Sequence, residues 1–267
     1  MPEETLRLAV LIDADNSSVN VLADILAESS KLGTATVKRV YGDFTSTNLQ
    51  SWGKVLAEHA VQPIQQYRNT TKKNASDSAL IIDAMDLLHT KRFDGFCLVS
   101  SDSDFTRLAI RIREDGLPVF GFGEEKTPNS FVKACNRFFY IEIFKTRLVE
   151  PEPSELQGAK TPPPDDSVTK PPATISSHAA ETPLRDFKTD TEFQEALDKA
   201  LDAATLNDGN RAELGAIGTH LQKLMPEFDA RNYGFKKLSD LMEQIETLKV
   251  SRIGTSGAPQ RIYVERR

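Results

Sequence analysis

Apolar residues follow two different rhythms on either side of a proline-rich stretch. Leu6-Arg7-Leu8-Ala9-Val10-Leu11-Ile12 reads as a buried strand, and helical periodicity follows through Val21, Leu22, Ile25 and Leu26. Thr34 to Tyr41 is β-branched and strand-like, Asn48 to Ala60 reads as a helix, and Val61 to Tyr67 as a short strand. Ser78 to His89 is helical, and Gly95 to Ser100 is another buried strand. A helix over Phe105 to Arg113, a strand over Leu117 to Gly121, a short helix through Phe131 and the run Phe138 to Ile141 complete the series. Alternating βα units with continuous apolar strands predict an α/β fold: a parallel sheet with helices on both faces.

Eight of the fourteen prolines fall between Pro151 and Pro183. Proline donates no backbone hydrogen bond and restricts the residue before it, so this stretch reads as an extended linker. It divides the chain into a first unit over 1–148, a linker over 149–188 and a second unit over 189–267, two modules expected to move independently. In the second unit Phe193, Ala196, Leu197 and Leu201 mark one helix, and Leu214, Ile217, Leu221 and Leu224 another. A third is expected from Tyr233 to Ile245, followed by strands over Leu248 to Ile253 and Arg261 to Val264. Three helices and a terminal hairpin predict a winged helix-turn-helix.

Composition narrows the possibilities. With 39% apolar and 27% charged residues, the chain is that of an ordinary soluble protein. No apolar run approaches the roughly 20 residues that cross a bilayer, and the acidic start Met1-Pro2-Glu3-Glu4 is unlike a secretory signal. Cys97 and Cys135 are too few for a disulfide scaffold and, with four scattered histidines, lack zinc-ligand spacing. A cytoplasmic location is expected. The net charge of −6 argues against coating nucleic acid by bulk charge, yet permits a local basic surface.

Aspartates interrupt the apolar pattern where strands end. The first strand closes with Ile12-Asp13-Ala14-Asp15-Asn16 and the buried strand after His89 closes with Ser100-Ser101-Asp102-Ser103-Asp104. Parallel sheets bind ligands beyond the carboxyl ends of their strands, so both groups should face one crevice. Asp77 leads the helical line Leu80, Ile81, Ala84, Leu88 and so begins the buried stripe, while Asp83 and Asp86 turn toward the polar side. Carboxylates gathered there repel one another unless a cation sits among them, and hard oxygen ligands suit Mg²⁺ or Mn²⁺. Helix capping is the competing explanation for Asp102, Ser103, Asp15 and Asn16. It does not reach Asp13, which lies too early, or Asp77.

These segments resemble the NYN domain, a PIN-like nuclease fold of the LabA type. The likeness is carried by Leu11-Ile12-Asp13-Ala14-Asp15-Asn16, by Lys73 to Ala84, and by Leu98-Val99-Ser100-Ser101-Asp102-Ser103-Asp104-Phe105, and extends to Gly121 to Pro128. Many members have Gly where Ser101 stands, and a Gly-Val-like pair where Ala75-Ser76 stand. The resemblance implies an acidic core of Asp13, Asp77 and Asp102, supported by Asp104 and Asn16, and metal-assisted hydrolysis of RNA phosphodiesters. In the second unit Tyr233-Gly234-Phe235-Lys236-Lys237-Leu238-Ser239-Asp240-Leu241 resembles the OST-HTH/LOTUS domain, which implies RNA binding.

Two basic sets are candidates for RNA contact. Arg68, Lys72 and Lys73 lie beside Tyr67 just before Asp77, a mixture suited to single strands, although a solvated loop would look the same. Residues 231–267 carry eight Lys and Arg against four acids, and Arg231, Lys236, Lys237, Lys249, Arg252 and Arg261 could face phosphates. The sequence leaves three functions open: a Mg²⁺- or Mn²⁺-dependent ribonuclease with an RNA-targeting winged helix, a non-catalytic RNA-binding adaptor, and a phosphatase of the haloacid-dehalogenase type suggested by Asp13-Ala14-Asp15. The winged helix could also dock a protein partner or a second copy of the chain. Gly121 and Gly123 are too few for a dinucleotide fingerprint.

Overall fold

The computed structural model describes residues 5–67, 75–145, 185–205, 211–253 and 261–267. The expected linker and the basic loop of Arg68, Lys72 and Lys73 therefore lie outside the described residues, apart from the linker's last few residues.

The first unit is built on six parallel strands: β1 (Arg7–Asp13), β2 (Thr34–Gly42), β3 (Gln62–Gln65), β4 (Gly95–Val99), β5 (Val119–Gly123) and β6 (Arg137–Tyr140). They lie in the order β3-β2-β1-β4-β5-β6. The order reverses beside β1, so the ends of β1 and β4 flank the crevice where such sheets bind ligands. β1 and β4 are buried almost throughout, because both faces are covered. On one face α3 (Ala75–His89) sets Leu80, Ala84 and Leu88 against the sheet, with α4 (Thr106–Glu114) and α5 (Asn129–Ala134) beside it. On the other, α1 (Leu22–Leu32), α2 (Trp52–Glu58) and the short α6 (Glu142–Lys145) close the layer around Ile25, Trp52 and Phe144. The α/β architecture is as expected. Gly121 is a packing residue: a Cβ there would lie 2.4 Å from the Phe138 ring and 2.7 Å from Cys135 Sγ. Both cysteines are buried and free.

The second unit comprises α7 (Thr191–Ala204), β7 (Arg211–Glu213), α8 (Leu214–Leu224), α9 (Leu238–Glu243), β8 (Leu248–Ile253) and β9 (Arg261–Arg266). Its antiparallel sheet has the order β7-β9-β8, β7 being a strand the hydrophobic pattern did not announce. The helix expected from Tyr233 to Ile245 is also shorter. A 3₁₀ turn over Ala230–Tyr233 stops at Gly234, whose φ of 83° is left-handed, and α9 begins only at Leu238. Glycine holds that conformation without the Cβ penalty other residues meet.

Contacts beyond the connecting segment join the two units. Phe138 N–H on edge strand β6 donates to Pro226 O at 2.8 Å. Arg231 donates to Glu28 on α1 (3.0 and 3.2 Å) and to Asp229 (2.7 and 2.9 Å). Arg137 adds an ion pair to Asp229, and Lys133 on α5 pairs with Glu192 and Glu227. The winged helix therefore rests on the β6 side of the sheet.

Candidate metal centre and nucleic-acid interface

The site is assembled from the loops at the carboxyl ends of β1 and β4 and from the first turn of α3. β1 ends at Asp13, which is only 1% exposed. Its Oδ1 accepts the backbone N–H groups of Asp15 and Asn16, and Oδ2 accepts Asn16 Nδ2–H and Ser100 Oγ–H, each at 2.8 Å. Burial raises the Asp13 pKa, and these four donors oppose the rise without cancelling it. Ser100 also accepts the Asp102 N–H at 3.1 Å, so one hydroxyl ties the end of β1 to the loop after β4. Neither Ser100 nor its bridge was singled out in the sequence. Its position at a strand end was the available signal.

Asp102, Asp104 and Asp77 present carboxylate oxygens within 4.8 Å of one another. Asp77 is buried, Asp102 half-buried and Asp104 exposed, so the group opens toward solvent on one side. Capping and clustering coexist at Asp102: its Oδ1 accepts the Asp104 N–H at 2.9 Å, while Oδ2 has no protein donor among the described residues. Asp77 sits on the buried face of α3, and Ser76 beside it donates to Asp15 Oδ2 at 2.8 Å. Burial, then the negative charges of Asp13, Asp102, Asp15 and Asp104, push the Asp77 pKa up to about 6. No Lys or Arg among the described residues forms an ion pair with Asp77 or Asp102. Asp13 is not one of the three converging carboxylates, although its charge is among those that raise the Asp77 pKa.

The helix that carries Asp77 is anchored to the sheet by a residue expected on its polar side. Asp83 accepts hydrogen bonds from Arg39 and from the Tyr41 hydroxyl, both on β2. Tyr41 is fully buried and pairs in register with Asp13. Helical spacing correctly separates Asp83 from Asp77, but it cannot reveal that β2 supplies polar partners on that flank.

The donor set fits a hard divalent cation. Three carboxylates converge, one of them buried with a raised pKa, Asp77 and Asp102 have no basic partner among the described residues, and all three offer oxygen. Such an arrangement lowers its own electrostatic energy by holding positive charge.

The basic set of the second unit divides. Lys236, Lys237, Lys249 and Arg261 are exposed, and Arg252 is exposed while paired with Glu243. Arg231 is committed to Glu28 and Asp229 and belongs to the seam between the units.

Comparison with known proteins agrees with this anatomy. Residues 7–142 match the model of the NYN domain, and residues 188–258 match that of the OST-HTH/LOTUS domain. No curated protein matches the chain significantly. Among solved structures, a protein of unknown function from Vibrio parahaemolyticus is 16% identical, covering 52% of this chain and 94% of its own, with a TM-score of 0.44. An uncharacterized protein from Nitrosomonas europaea is 23% identical, covering 42% of this chain and 92% of its own, with a TM-score of 0.25. NYN is a nuclease-type domain, its nucleases generally use divalent metal ions, and OST-HTH/LOTUS domains bind RNA. No helix among the described residues is long and apolar enough to cross a membrane. The NYN match spans half of the chain and contains every acid of the candidate centre: the chain belongs to the NYN domain family and carries a C-terminal OST-HTH/LOTUS domain.

Proposed function

We propose that the chain is a divalent-metal-dependent ribonuclease whose second domain holds the RNA. The observation that carries this reading is the convergence of Asp77, Asp102 and Asp104 at the open end of the sheet, without a basic partner for Asp77 or Asp102 among the described residues. These three would hold Mg²⁺ or Mn²⁺; when bound, the ion supplies a Lewis acid for the scissile phosphate and lowers the pKa of a water. Asp13 is held by hydrogen bonds from Asn16 and Ser100 and so fixes the end of β1 beside these acids. Asp104 is the exposed member and the first the RNA meets. Ser76 and Asp15 steady the start of α3 and with it the Asp77 carboxylate. The exposed Lys236, Lys237, Lys249, Arg252 and Arg261 would neutralise backbone phosphates. The basic loop of Arg68, Lys72 and Lys73 adjoins Asp77 in sequence and is proposed to share that task.

The test is metal-dependent cleavage of single-stranded, duplex and structured RNA by the full chain and by Asp102→Asn. Asparagine caps about as well as aspartate but removes the charge. Cleavage with Mn²⁺ or Mg²⁺ that the substitution abolishes, with the melting temperature preserved, supports the ribonuclease. Full cleavage by Asp102→Asn rejects it. A wild-type chain that binds RNA but cleaves none of these substrates is the non-catalytic adaptor.

A further inference from the structure

Beside the acids lies a cavity that the proposed chemistry does not use. Its volume is about 490 Å³, and it is bounded by the loop after β1 and the segment leading into α2. Ala14, Leu49 and Trp52, all nearly inaccessible, form its floor. Polar groups form its walls: Asp15, Ser17, Ser18, Asn20, Asn48 and Ser51. Ser17 donates to Val99 O and Ser18 accepts the Asn20 N–H, whereas the Asn20 and Asn48 amides and the Ser51 hydroxyl have no partner among the described residues.

Three observations define what this cavity takes. Its volume lies within the range of small-molecule sites. No Lys, Arg or His lines it, so it offers no cationic side chain to a phosphate. It combines short donors and acceptors with the apolar residues Ala14, Leu49 and Trp52, the chemistry that suits a neutral heterocycle and sugar hydroxyls. Asp15 also joins the cavity to the acids, because its Oδ2 accepts the hydroxyl of Ser76, the residue before Asp77. A strand whose phosphate sat at Asp77, Asp102 and Asp104 would carry its neighbouring nucleoside past Asp15.

We propose that this cavity is a nucleoside subsite: it receives the ribose and base of the nucleotide flanking the phosphate held at the acids, and its Asn20 and Asn48 amides read the ribose hydroxyls. The subsite rests on the ribonuclease reading for its role, but its occupancy is measured without cleavage. It gives the site a preference for RNA over DNA that the phosphate-facing acids do not supply, since the 2′-hydroxyl is what distinguishes the two.

Trp52 is the only tryptophan, so its indole N–H gives a single, unambiguous side-chain resonance at the cavity floor. The experiment titrates ¹⁵N-labelled full chain, free of divalent metal, with adenosine, guanosine, cytidine and uridine, and with their 2′-deoxy counterparts. At least one ribonucleoside should shift the Trp52 resonance saturably, and its deoxy form should bind about three- to tenfold more weakly, as expected for the loss of one or two hydrogen bonds. Ser51→Phe, at an exposed position, should fill the cavity and remove the shift, while Asn48→Ala should weaken it without altering the remaining spectrum. No shift with any nucleoside, equal binding of the deoxy forms, or an undiminished shift in Ser51→Phe would each overturn the subsite. A nucleoside-dependent shift in a chain that cleaves no RNA would sustain the subsite and remove the nuclease. Cleavage without nucleoside binding would do the reverse.

Discussion

At two places in this molecule buried carboxylates are treated in opposite ways. At the seam, Glu28 and Asp229 are almost covered, yet Arg231 and a second cation reach each of them: Lys31 at Glu28 and Arg137 at Asp229. Burial alone would raise both pKa values, but the Arg231 hydrogen bonds and charge outweigh it and hold both below the ordinary carboxylate range. At the carboxyl ends of β1 and β4 burial acts in the same direction, no arginine answers Asp77 or Asp102 among the described residues, and the Asp77 pKa rises to about 6. The fold can pair buried acids within itself. Where it leaves them unpaired, the natural counter-charge is a ligand.

The largest effect expected from this contrast is on catalysis. Asp77→Asn or Asp102→Asn should lower metal-dependent RNA cleavage by at least about a hundredfold, since even residues that only orient metal ligands cost 10–100-fold. The seam should behave differently. Arg231→Ala leaves Glu28 and Asp229 buried without their main partner and should cost about 1–3 kcal/mol in denaturant titrations of the full chain, less than a fully enclosed pair because Arg231 is 29% exposed. It should leave cleavage of short RNA nearly unchanged. A hundredfold loss of cleavage in Arg231→Ala would show that the two regions are not separate in function.

A smaller effect concerns stability without metal. Asp77→Asn removes a charge that the folded chain tolerates poorly, so the metal-free variant should melt a few degrees above wild type. Scanning calorimetry in chelator checks this, and a fall for Asp77→Asn like that expected for Arg231→Ala would erase the distinction.

How much of this contrast the sequence discloses depends on distance along the chain. Asp13, Asp102 and Asp104 stand where apolar strands stop, and Asp77 opens a helical stripe, so their common direction follows from strand and helix periods. Ser100, which links Asp13 to Asp102, looks like any strand-end serine until β1 and β4 lie side by side. The seam is harder still. Arg231 reads as one more cation in a basic terminus, and only the docking of segments 203 residues apart turns it into the partner of Glu28. Asp83 is similar, since its partners come from β2. Local periodicity locates a face; it does not identify what packs there. The shortened α9 is a local miss of another kind, because the apolar spacing from Tyr233 to Ile245 concealed a left-handed break at Gly234.

The smallest expected effect is in pH dependence, and its sign differs between the regions. The Asp77 pKa is higher in the fold than its ordinary 3.8, so the metal-free fold loses stability as pH rises from about 4 through about 6. Glu28 and Asp229 have lowered values, so their contribution is fully present above the ordinary values of 4.5 and 3.8 and is lost as pH falls through the folded values below them. Melting curves of metal-free wild type, Asp77→Asn and Arg231→Ala across pH 3–7 should show opposite changes of slope in the two variants.

The most direct test of the central claim is calorimetric titration of the chelator-treated full chain with Mn²⁺. Wild type should bind the ion saturably, Asp77→Asn and Asp102→Asn should bind at least about tenfold more weakly, and Arg231→Ala should bind as wild type does. Absence of saturable binding, or equal affinity in wild type and both aspartate variants, would contradict the assignment of these acids to a cation.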